Sequence, residues 1–526
     1  MSQYVLSPER DAFHKAVAAE DMEGVKAYLA LAEKAESEKN ENGKRRFRPL
    51  LDINFRGLMK ASALHLAAIT GNEKLVTFLL EQGAYVLARD HYGDTPLHVA
   101  TSDKVVEALL KNRAPVGIRN KFGHTPLISH SHKGHDDIVQ RLITNDAVIS
   151  GTDWNGDSAL HKAVIGGHTR CVRTLLEAGA EVNAQSKDGW TVLHRAAVAS
   201  NAEEIIMLLL NHGVNVEAYN KTGWKAIHRA ASQGREEGVR ALVEAGNATL
   251  NDTTMMGYSP LYLAAESGHS GVVKLLLSHG ADATLPSSDD NALPLHRAAA
   301  WGHVEVVECL ADHNSDLSLA DARGSTALHL ASRGGHVRLV SALIKRGAAV
   351  NSSDLNGVTP LHLAASWGQL DVARILSEHN ANLDAVTLDG NTPLHWAAAC
   401  GRSEMTRFLL EQGADPTPRE LCRLPEEGCG EQDGGEARTA SEASQGGTEQ
   451  SKTGDQEENN AAPEKCCPLK GADEDGSKKK PDYAAEGLPH PPTGFFYGCT
   501  ALELATENGH EEVVEIFKQF TTSPLQ

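Results

Sequence analysis

The stretch Thr95–Ala100, TPLHVA, decides the fold, because close copies of it recur along the chain. The copies read SALHLA, SALHKA, TVLHRA, KAIHRA, SPLYLA, LPLHRA, TALHLA, TPLHLA and TPLHWA, and they begin at Ser62, Ser158, Thr191, Lys225, Ser259, Leu293, Thr326, Thr359 and Thr392. From Ser158 onward each step is 33 or 34 residues. A fixed period of this length is the signature of a repeat architecture.

Three weaker copies extend the array. TPLISH at Thr125 lies 30 residues after Thr95, because the loop after Ala100 has lost three residues. AFHKAV at Ala12 is a degenerate first copy, and TALELA at Thr500 is a last one. The repeats therefore account for nearly the whole chain.

The unit that starts at Thr359 shows what one repeat should form. Thr359 suits a helix N-cap, and Pro360 suits the first helical position. Apolar residues at helical spacing then follow in two short helices: Leu361, Ala364 and Ala365, then Val372, Ile375 and Leu376. The segment Ala381–Gly390 predicts an extended hairpin with a glycine turn. One such unit cannot bury its own apolar face, so neighbours must bury it jointly.

This motif and period resemble those of the ankyrin-repeat family. The resemblance implies an all-α solenoid of about thirteen stacked helix-turn-helix repeats, with β-hairpin fingers and protein partners. We expect a degenerate N-terminal repeat with a charged insertion in residues 1–61 and the main array in residues 62–417. A disordered acidic insert is expected in residues 418–494, and a C-terminal repeat with a tail in residues 495–526.

The expectation of disorder in the insert rests on its composition. It holds 17 acidic and 9 basic residues, is rich in Gly, Ser and Gln, and has few aromatic residues. Cysteines in or beside it (Cys422, Cys429, Cys466, Cys467 and Cys499) are interpreted as reduced thiols, with modification of Cys466-Cys467 left open. Lys478–Lys480 is a weak nuclear-import signal. A cytoplasmic location is expected, with a nuclear one also open.

Net charge, hydropathy and the absence of known catalytic motifs argue against several classes of function. A net charge of −20 disfavours nucleic-acid binding. No apolar run approaches the ~20 residues that a membrane-spanning helix needs, and the N-terminus has no signal-peptide pattern. We find no GxSxG, phosphate-loop, HExxH or kinase motif, so the sequence predicts a protein with no catalytic residues and no cofactor.

Large aromatic residues occupy positions that the repeat leaves variable. Trp190, Trp224 and Tyr258 directly follow the finger glycine in three consecutive repeats, and Trp301 and Trp367 precede the glycine between the helices. The family resemblance places these positions on the concave face, where exposed aromatics favour partner binding. The alternative is that the aromatic rings stack on each other and stiffen the fingers.

Basic residues run beside them. Lys162, Arg195, Arg229 and Arg297 each follow the motif histidine. They predict a basic track suited to an acidic or phosphorylated segment. The alternative is that each side chain only packs its aliphatic stem.

The histidines allow two interpretations. Those of the motif occur once per repeat, and the resemblance implies that they hydrogen-bond backbone between neighbouring repeats: His65, His98, His161, His194, His228, His296, His329, His362 and His395. A denser group, His124, His130, His132 and His135, raises a metal hypothesis, although its spacing fits no standard zinc pattern. Because His130 replaces a small residue of the repeat, we expect its side chain to be squeezed outward.

One modification follows from the resemblance alone. Leu175, followed by Glu181-Val182-Asn183, is similar to ankyrin hairpins that are hydroxylated on the asparagine. Asn183 is therefore a candidate modification site.

The sequence as a whole favours an interaction scaffold or adaptor that binds proteins through repeats six to eleven. One alternative is a regulatory subunit that masks a client's functional surface, with the acidic insert as a competing pseudo-ligand. A less favoured alternative is a metal-handling protein built on the His124–His135 group.

Overall fold

The computed structural model describes residues 8–37, 53–313, 315–417 and 500–522. Residues 418–494 and the cysteines and lysines noted in and beside them lie outside this part. The described residues form thirteen successive helix pairs. The all-α repeat architecture expected from the sequence is therefore confirmed.

The first helix of each pair is called the inner helix. The inner helices are α1 (Pro8–Ala18), α3 (Ala63–Thr70), α5 (Pro96–Val99), α7 (Pro126–Lys133), α9 (Ala159–Ile165), α11 (Val192–Ala196), α13 (Ala226–Ser232), α15 (Pro260–Ser267), α17 (Pro294–Trp301), α19 (Ala327–Arg333), α21 (Pro360–Trp367), α23 (Pro393–Ala399) and α25 (Ala501–Glu507). A 3₁₀ turn, Leu58–Lys60, precedes α3.

The second helix of each pair is called the outer helix. The outer helices are α2 (Met22–Ser37), α4 (Glu73–Glu81), α6 (Asp103–Lys111), α8 (Asp136–Thr144), α10 (Thr169–Glu177), α12 (Ala202–Asn211), α14 (Glu236–Arg240), α16 (Ser270–Ser278), α18 (Val304–Asp312), α20 (Val337–Lys345), α22 (Leu370–Glu378), α24 (Ser403–Glu411) and α26 (Glu511–Thr522). Helix α14 continues into a π-helical turn, Ala241–Ala245.

Packing between repeats creates the core. Inner helices pack on inner helices along the whole series, outer helices pack on outer helices from α4 onward, and α25 and α26 pack on α23 and α24. The motif supplies the buried residues, as Leu328 and Ala331 show for one inner helix. Most of these helices have fewer than 12 residues and would be marginal alone in water. Their stability therefore comes from the contacts between repeats.

The fingers are tight turns rather than paired strands. In the described residues, β-pairing is limited to isolated bridges such as Gln185 with Thr191. An Asp or Asn at the start of many turns accepts backbone N–H groups within its own turn, as Asp354 does from Asn356 and Val358. The predicted hairpins are thus reduced to turns, each closed by side-chain bonds of this kind or by backbone bonds such as that from the N–H of Asp354 to the carbonyl of Val358.

Neighbouring fingertips are joined by single backbone hydrogen bonds. The N–H of Lys121 donates to the carbonyl of Tyr92 at 3.0 Å, and the N–H of Trp154 donates to that of Phe122 at 3.2 Å. The same bond recurs at each finger up to Leu388, whose N–H donates to Asn356 at 2.8 Å. The fingertips therefore form a continuous row.

Motif histidines join most inner helices to the next finger, as the family resemblance implies. His329 is fully buried, and its Nε2–H donates to the carbonyl of Val358 at 3.0 Å. Its Nδ1 accepts the N–H and the hydroxyl of Thr326 at 3.1 and 2.9 Å. Equivalent Nε2 bonds of 2.7–3.3 Å are made by His65, His98, His161, His194, His228, His296 and His362.

A second set of histidines lies at the start of several outer helices. His303 reaches back across the turn between its own repeat's helices, and its Nε2–H donates to the carbonyl of Glu266 in the preceding repeat at 3.1 Å. His168, His269, His336 and His510 bond the preceding repeat in the same way. The two sets of histidines therefore bond successive repeats at both ends of their inner helices.

Among the described residues, no helix has the length and apolarity required to cross a membrane.

We expect acid to destabilise the array through the motif histidines. Burial lowers the pKa of His194, His228 and His362 to about 4, against 6.5 for an unburied histidine. Below pH 6.5 the unfolded chain therefore binds protons that the folded chain excludes, and the free energy of unfolding falls. The loss is about 1.4 kcal/mol per pH unit for each histidine, until the folded pKa is reached.

The measurement is the urea midpoint by circular dichroism at pH 7.5 and pH 5, with 0.5 M NaCl in both to screen the net charge. The midpoint should be clearly lower at pH 5. An equal or higher midpoint at pH 5 would contradict this role of the histidines.

Candidate functional site

Three of the five aromatic residues singled out in the sequence lie together. The ring centroids of Trp190 and Trp224 are 6.4 Å apart. Trp224 and Tyr258 both pack against a small buried cluster that includes Tyr262. All three are half-buried. We call Trp190, Trp224 and Tyr258 the aromatic trio. Its rings contact neighbouring aromatic rings and are also partly accessible to solvent.

Trp301 and Trp367 lie at a different place. They are the last residues of α17 and α21, and each is followed by a glycine with a positive φ, Gly302 or Gly368. The aromatic trio instead precedes the first turn of its inner helices. The structure therefore brings three of the five residues together and places the other two at the opposite end of the inner helices.

Two guanidinium groups approach the indole of Trp190. The Cζ atom of Arg229 is 4.6 Å from the ring centroid, and that of Arg195 is 5.9 Å away. The Nε of Arg195 is buried and has no hydrogen-bond partner, and its closest carboxylate oxygen, on Asp157, is 3.8 Å from Nη2. Arg195 therefore keeps hydrogen-bonding capacity beside an aromatic surface.

Lys162 is different, because acidic residues of its own repeat neutralise it. Its Nζ lies 2.9 Å from an oxygen of Asp153 and 2.8 Å from one of Asp157, and only 12% of its side chain is exposed. Burial would raise the pKa of Asp153, but hydrogen bonds from His124 and Lys162 outweigh burial and hold that pKa well below its ordinary value. Lys162 is thus part of a buried ion network.

Arg297 is also held internally. Its Nη2 lies 2.8 Å from Asp290, and its Nε donates to the hydroxyl of Tyr262. Tyr258 stacks on Tyr262 with centroids 4.8 Å apart, and burial together with Asp289 raises the pKa of Tyr258 to about 12. The four basic residues therefore do not form a uniform track, since acidic partners occupy Lys162 and Arg297.

The expectation that His130 is squeezed outward is wrong. His130 is fully buried, and its Nε2–H donates to the carbonyl of Leu97 at 2.7 Å. The physical reason lies in the preceding repeat, where the three-residue deletion shortens α5 to one turn and Ala100 leaves the helix. The Leu97 carbonyl thus has no helical donor, and His130 supplies one. Lys133 does the same for the carbonyl of His98 at 3.2 Å.

Hydrogen bonds occupy ring nitrogens of this histidine group that a metal ion would need. Because Nε2 of His130 donates, its Nδ1 must accept, and it does so from Nδ1–H of His135 at 3.1 Å. His124 is paired with Asp153 at 3.3 Å. The described residues contain no group of three or more His, Cys, Asp or Glu side chains arranged to hold a metal ion. The geometry therefore gives the metal hypothesis no support.

Asn183 lies in an exposed finger. Its Oδ1 accepts the N–H of Asn215 at 2.7 Å, and its Nδ2 donates to the carbonyl of Gly213 at 3.4 Å. The side chain thus joins two fingers, and its modification stays a prediction.

Sequence reasoning missed an aromatic row at the fingertips. Tyr92, Phe122 and Trp154 occupy the tips of three consecutive fingers and are 44%, 53% and 53% exposed. Each lies inside a four-residue turn that starts with Asp or Asn and ends with Gly. Comparison of these turns repeat by repeat would have revealed the row, whereas the exposure of its residues requires the structure.

The thirteen stacked helix pairs with turn-like fingers define a repeat protein of the helix-turn-helix solenoid class. A family model described as ankyrin repeats (3 copies) matches the chain in the segments 13–120, 101–186, 179–254, 215–287, 247–321 and 328–420. These matches cover most of the chain, so it belongs to the ankyrin-repeat family. Ankyrin repeats are generally protein–protein interaction modules, and proteins built from them are typically non-enzymatic binding scaffolds.

One similar solved structure is the crystal structure of the human ASB11 ankyrin repeat domain. It is 30% identical over 43% of this chain and 99% of that chain, with a TM-score of 0.40. No curated protein matches the chain.

The substitution His130→Ala should destabilise the array. It removes the side-chain donor to the Leu97 carbonyl and leaves a cavity, at a cost of about 2–4 kcal/mol. The measurement is the urea midpoint by circular dichroism. The matched control is His91→Ala, since His91 is exposed at a fingertip of the preceding repeat, and it should change stability by less than about 0.5 kcal/mol. Equal stability of both variants would refute the role of His130.

The substitution Lys162→Met should lower the thermal stability of the array, because Lys162 is part of a buried ion network. It removes the cation closest to the buried carboxylates of Asp153 and Asp157, which costs about 3–5 kcal/mol. Lys187→Met is the control, because Lys187 is exposed on the next finger. Thermal melts of the two variants should separate clearly. If both melt at the wild-type temperature, the Lys162 network is not structural and Lys162 returns as a candidate contact residue.

Proposed function

We propose that the chain is a non-enzymatic adaptor that binds a partner protein on the face formed by the inner helices and fingers of repeats six to eleven. The aromatic trio is the centre of this contact, and Arg195 and Arg229 receive an acidic segment of the partner. Trp301 and Trp367 extend the contact toward the far end of the inner helices. Lys162 and Arg297 support the site by fixing the acidic residues beneath it.

The observation that carries the proposal is the arrangement around Trp190. An indole with two guanidinium groups against it combines an apolar surface with charge, the combination that recurs in binding hot spots. The side chain of Arg195 is 21% exposed and the Asp157 carboxylate is 3.8 Å from its Nη2, so its terminal nitrogens can donate to a carboxylate or phosphate oxygen of a partner.

The half-buried state of the trio favours the same role. Rings held by their neighbours lose little conformational freedom when a partner covers their remaining surface. Stacking and binding are therefore compatible, and the aromatic contacts that stiffen the fingers also preorganise the site.

The test compares affinity capture from source-cell lysate by the full chain and by the variant Arg195→Ala/Arg229→Ala. The matched control is Arg170→Ala/Arg240→Ala, which removes two exposed arginines from outer helices. Proteins recovered by the wild type and the control, but lost with the first variant, are partners of this face. With a purified partner, the first variant should bind at least about tenfold more weakly, a loss of about 1.4 kcal/mol.

Circular dichroism first establishes that both double variants are folded. If the two variants recover the same proteins as the wild type, the inner-helix face is not the binding site. If both lose the same proteins, the effect is one of overall charge and the proposed site is again rejected.

A further inference from the structure

The fingertip aromatic row, Tyr92, Phe122 and Trp154, is exposed and yet held in place. The indole N–H of Trp154 donates to the carbonyl of Lys121 at 2.9 Å, and the guanidinium of Arg119 lies 5.3 Å from the centroid of its ring. The rings of Tyr92 and Phe122 are 6.2 Å apart at an interplanar angle of 30°. Rigid, exposed aromatic side chains are the type of residue that dominates binding energy in interfaces.

The position of Trp154 depends on Gly123. A side chain at residue 123 would place its Cβ only 2.7 Å from the backbone nitrogen and the ring of Trp154, and the φ angle of +82° already favours glycine. The indole therefore lies directly over the backbone of the neighbouring fingertip. The side chain nevertheless stays 53% exposed.

The charge at these fingertips is opposite to that of the whole protein. Arg89 and Lys121 are exposed on the same fingers and Lys60 on the finger before them, in a chain whose net charge is −20. The acidic residues of these turns are engaged inside them. Asp90 accepts the N–H groups of Tyr92 and Asp94, and Asp153 lies in the buried network with Lys162. The row therefore presents aromatic rings among cations.

We propose that the fingertip aromatic row binds an extended, acidic segment of a partner protein that carries an apolar side chain at about every third position. The charge follows from the cations around the row. The spacing follows from the repeat, since neighbouring repeats lie roughly 10 Å apart, the diameter of a helix. An extended chain in the polyproline II conformation advances about 3.1 Å per residue with three residues per turn, so residues three apart lie on one face and span about one repeat. The site is independent of the face proposed above.

The experiment selects ligands from a pool of random sequences, so it does not require the identity of the partner. A library of random 12-residue peptides displayed on phage is panned on the full chain and, separately, on the variant Phe122→Ala/Trp154→Ala. Both residues are exposed, so the variant should fold, and circular dichroism verifies this. Peptides enriched only by the wild type should be rich in Asp and Glu, with aromatic or aliphatic residues three positions apart.

A synthetic copy of the most enriched peptide then serves as the probe in fluorescence anisotropy. Its affinity should fall at least tenfold for Phe122→Ala/Trp154→Ala and for the charge reversal Lys60→Glu/Lys121→Glu. The matched control is Leu355→Ala/Leu388→Ala, because these fingertip residues of later repeats are 69% and 71% exposed. This control should bind as the wild type does.

Several results would overturn the proposal. They are enrichment of the same peptides by the variant, absence of enrichment, enriched peptides without acidic residues, or equal weakening by the leucine control. Tighter binding of a twelve-residue thymidine oligonucleotide than of the peptide would also overturn it, since aromatic rings among cations can stack nucleic-acid bases. Arg195→Ala/Arg229→Ala should leave peptide binding unchanged, which separates this site from the inner-helix face.

Discussion

The structure depends on a buried imidazole that recurs in most repeats and satisfies backbone groups in two neighbouring repeats. Its Nδ1 accepts the N–H that starts its own inner helix, and its Nε2 donates to the next finger, as His362 does to Asn391. The protonated ring would donate at both nitrogens and could not accept that N–H. The motif thus requires a neutral histidine, and burial guarantees this by lowering its pKa. Helices of seven or eight residues are stable here because such bonds tie them to their neighbours.

This dependence also decides which surfaces remain available for function. Apolar residues of both helices are used between repeats, so side chains can differ without loss of the fold only beside and on the exposed part of the inner helices, at the fingertips and on the exposed faces of the outer helices. Trp190 with its two arginines occupies the first kind of position, and Phe122 with its aromatic neighbours occupies the second. Two binding surfaces of different chemistry can therefore exist on one stack of nearly identical units.

The sequence was sufficient for the parts of the structure that repeat. Spacing and capping residues follow from local pattern, because each copy has the same neighbours, and the role of the motif histidine is implied by the family resemblance. The sequence was insufficient where a side chain contacts residues that are not part of the repeated motif. The neutralisation of Lys162 depends on Asp153 and Asp157, which are not part of the motif, and the burial of His130 depends on a deletion one repeat earlier. The exposure of Trp154 likewise depends on Gly123 in the finger before it.

The shortened helix α5 has a consequence for modularity. Ankyrin repeats are usually treated as interchangeable units, each with its own helix caps and its own internal hydrogen bonds. Here the third unit lacks a donor that only the fourth supplies, through His130 and Lys133. A chimera that joined the third unit to any other repeat of the chain would bury an unsatisfied carbonyl at the junction. These two units thus form one indivisible building block, and any shuffling or truncation of the array has to keep residues 95–133 together.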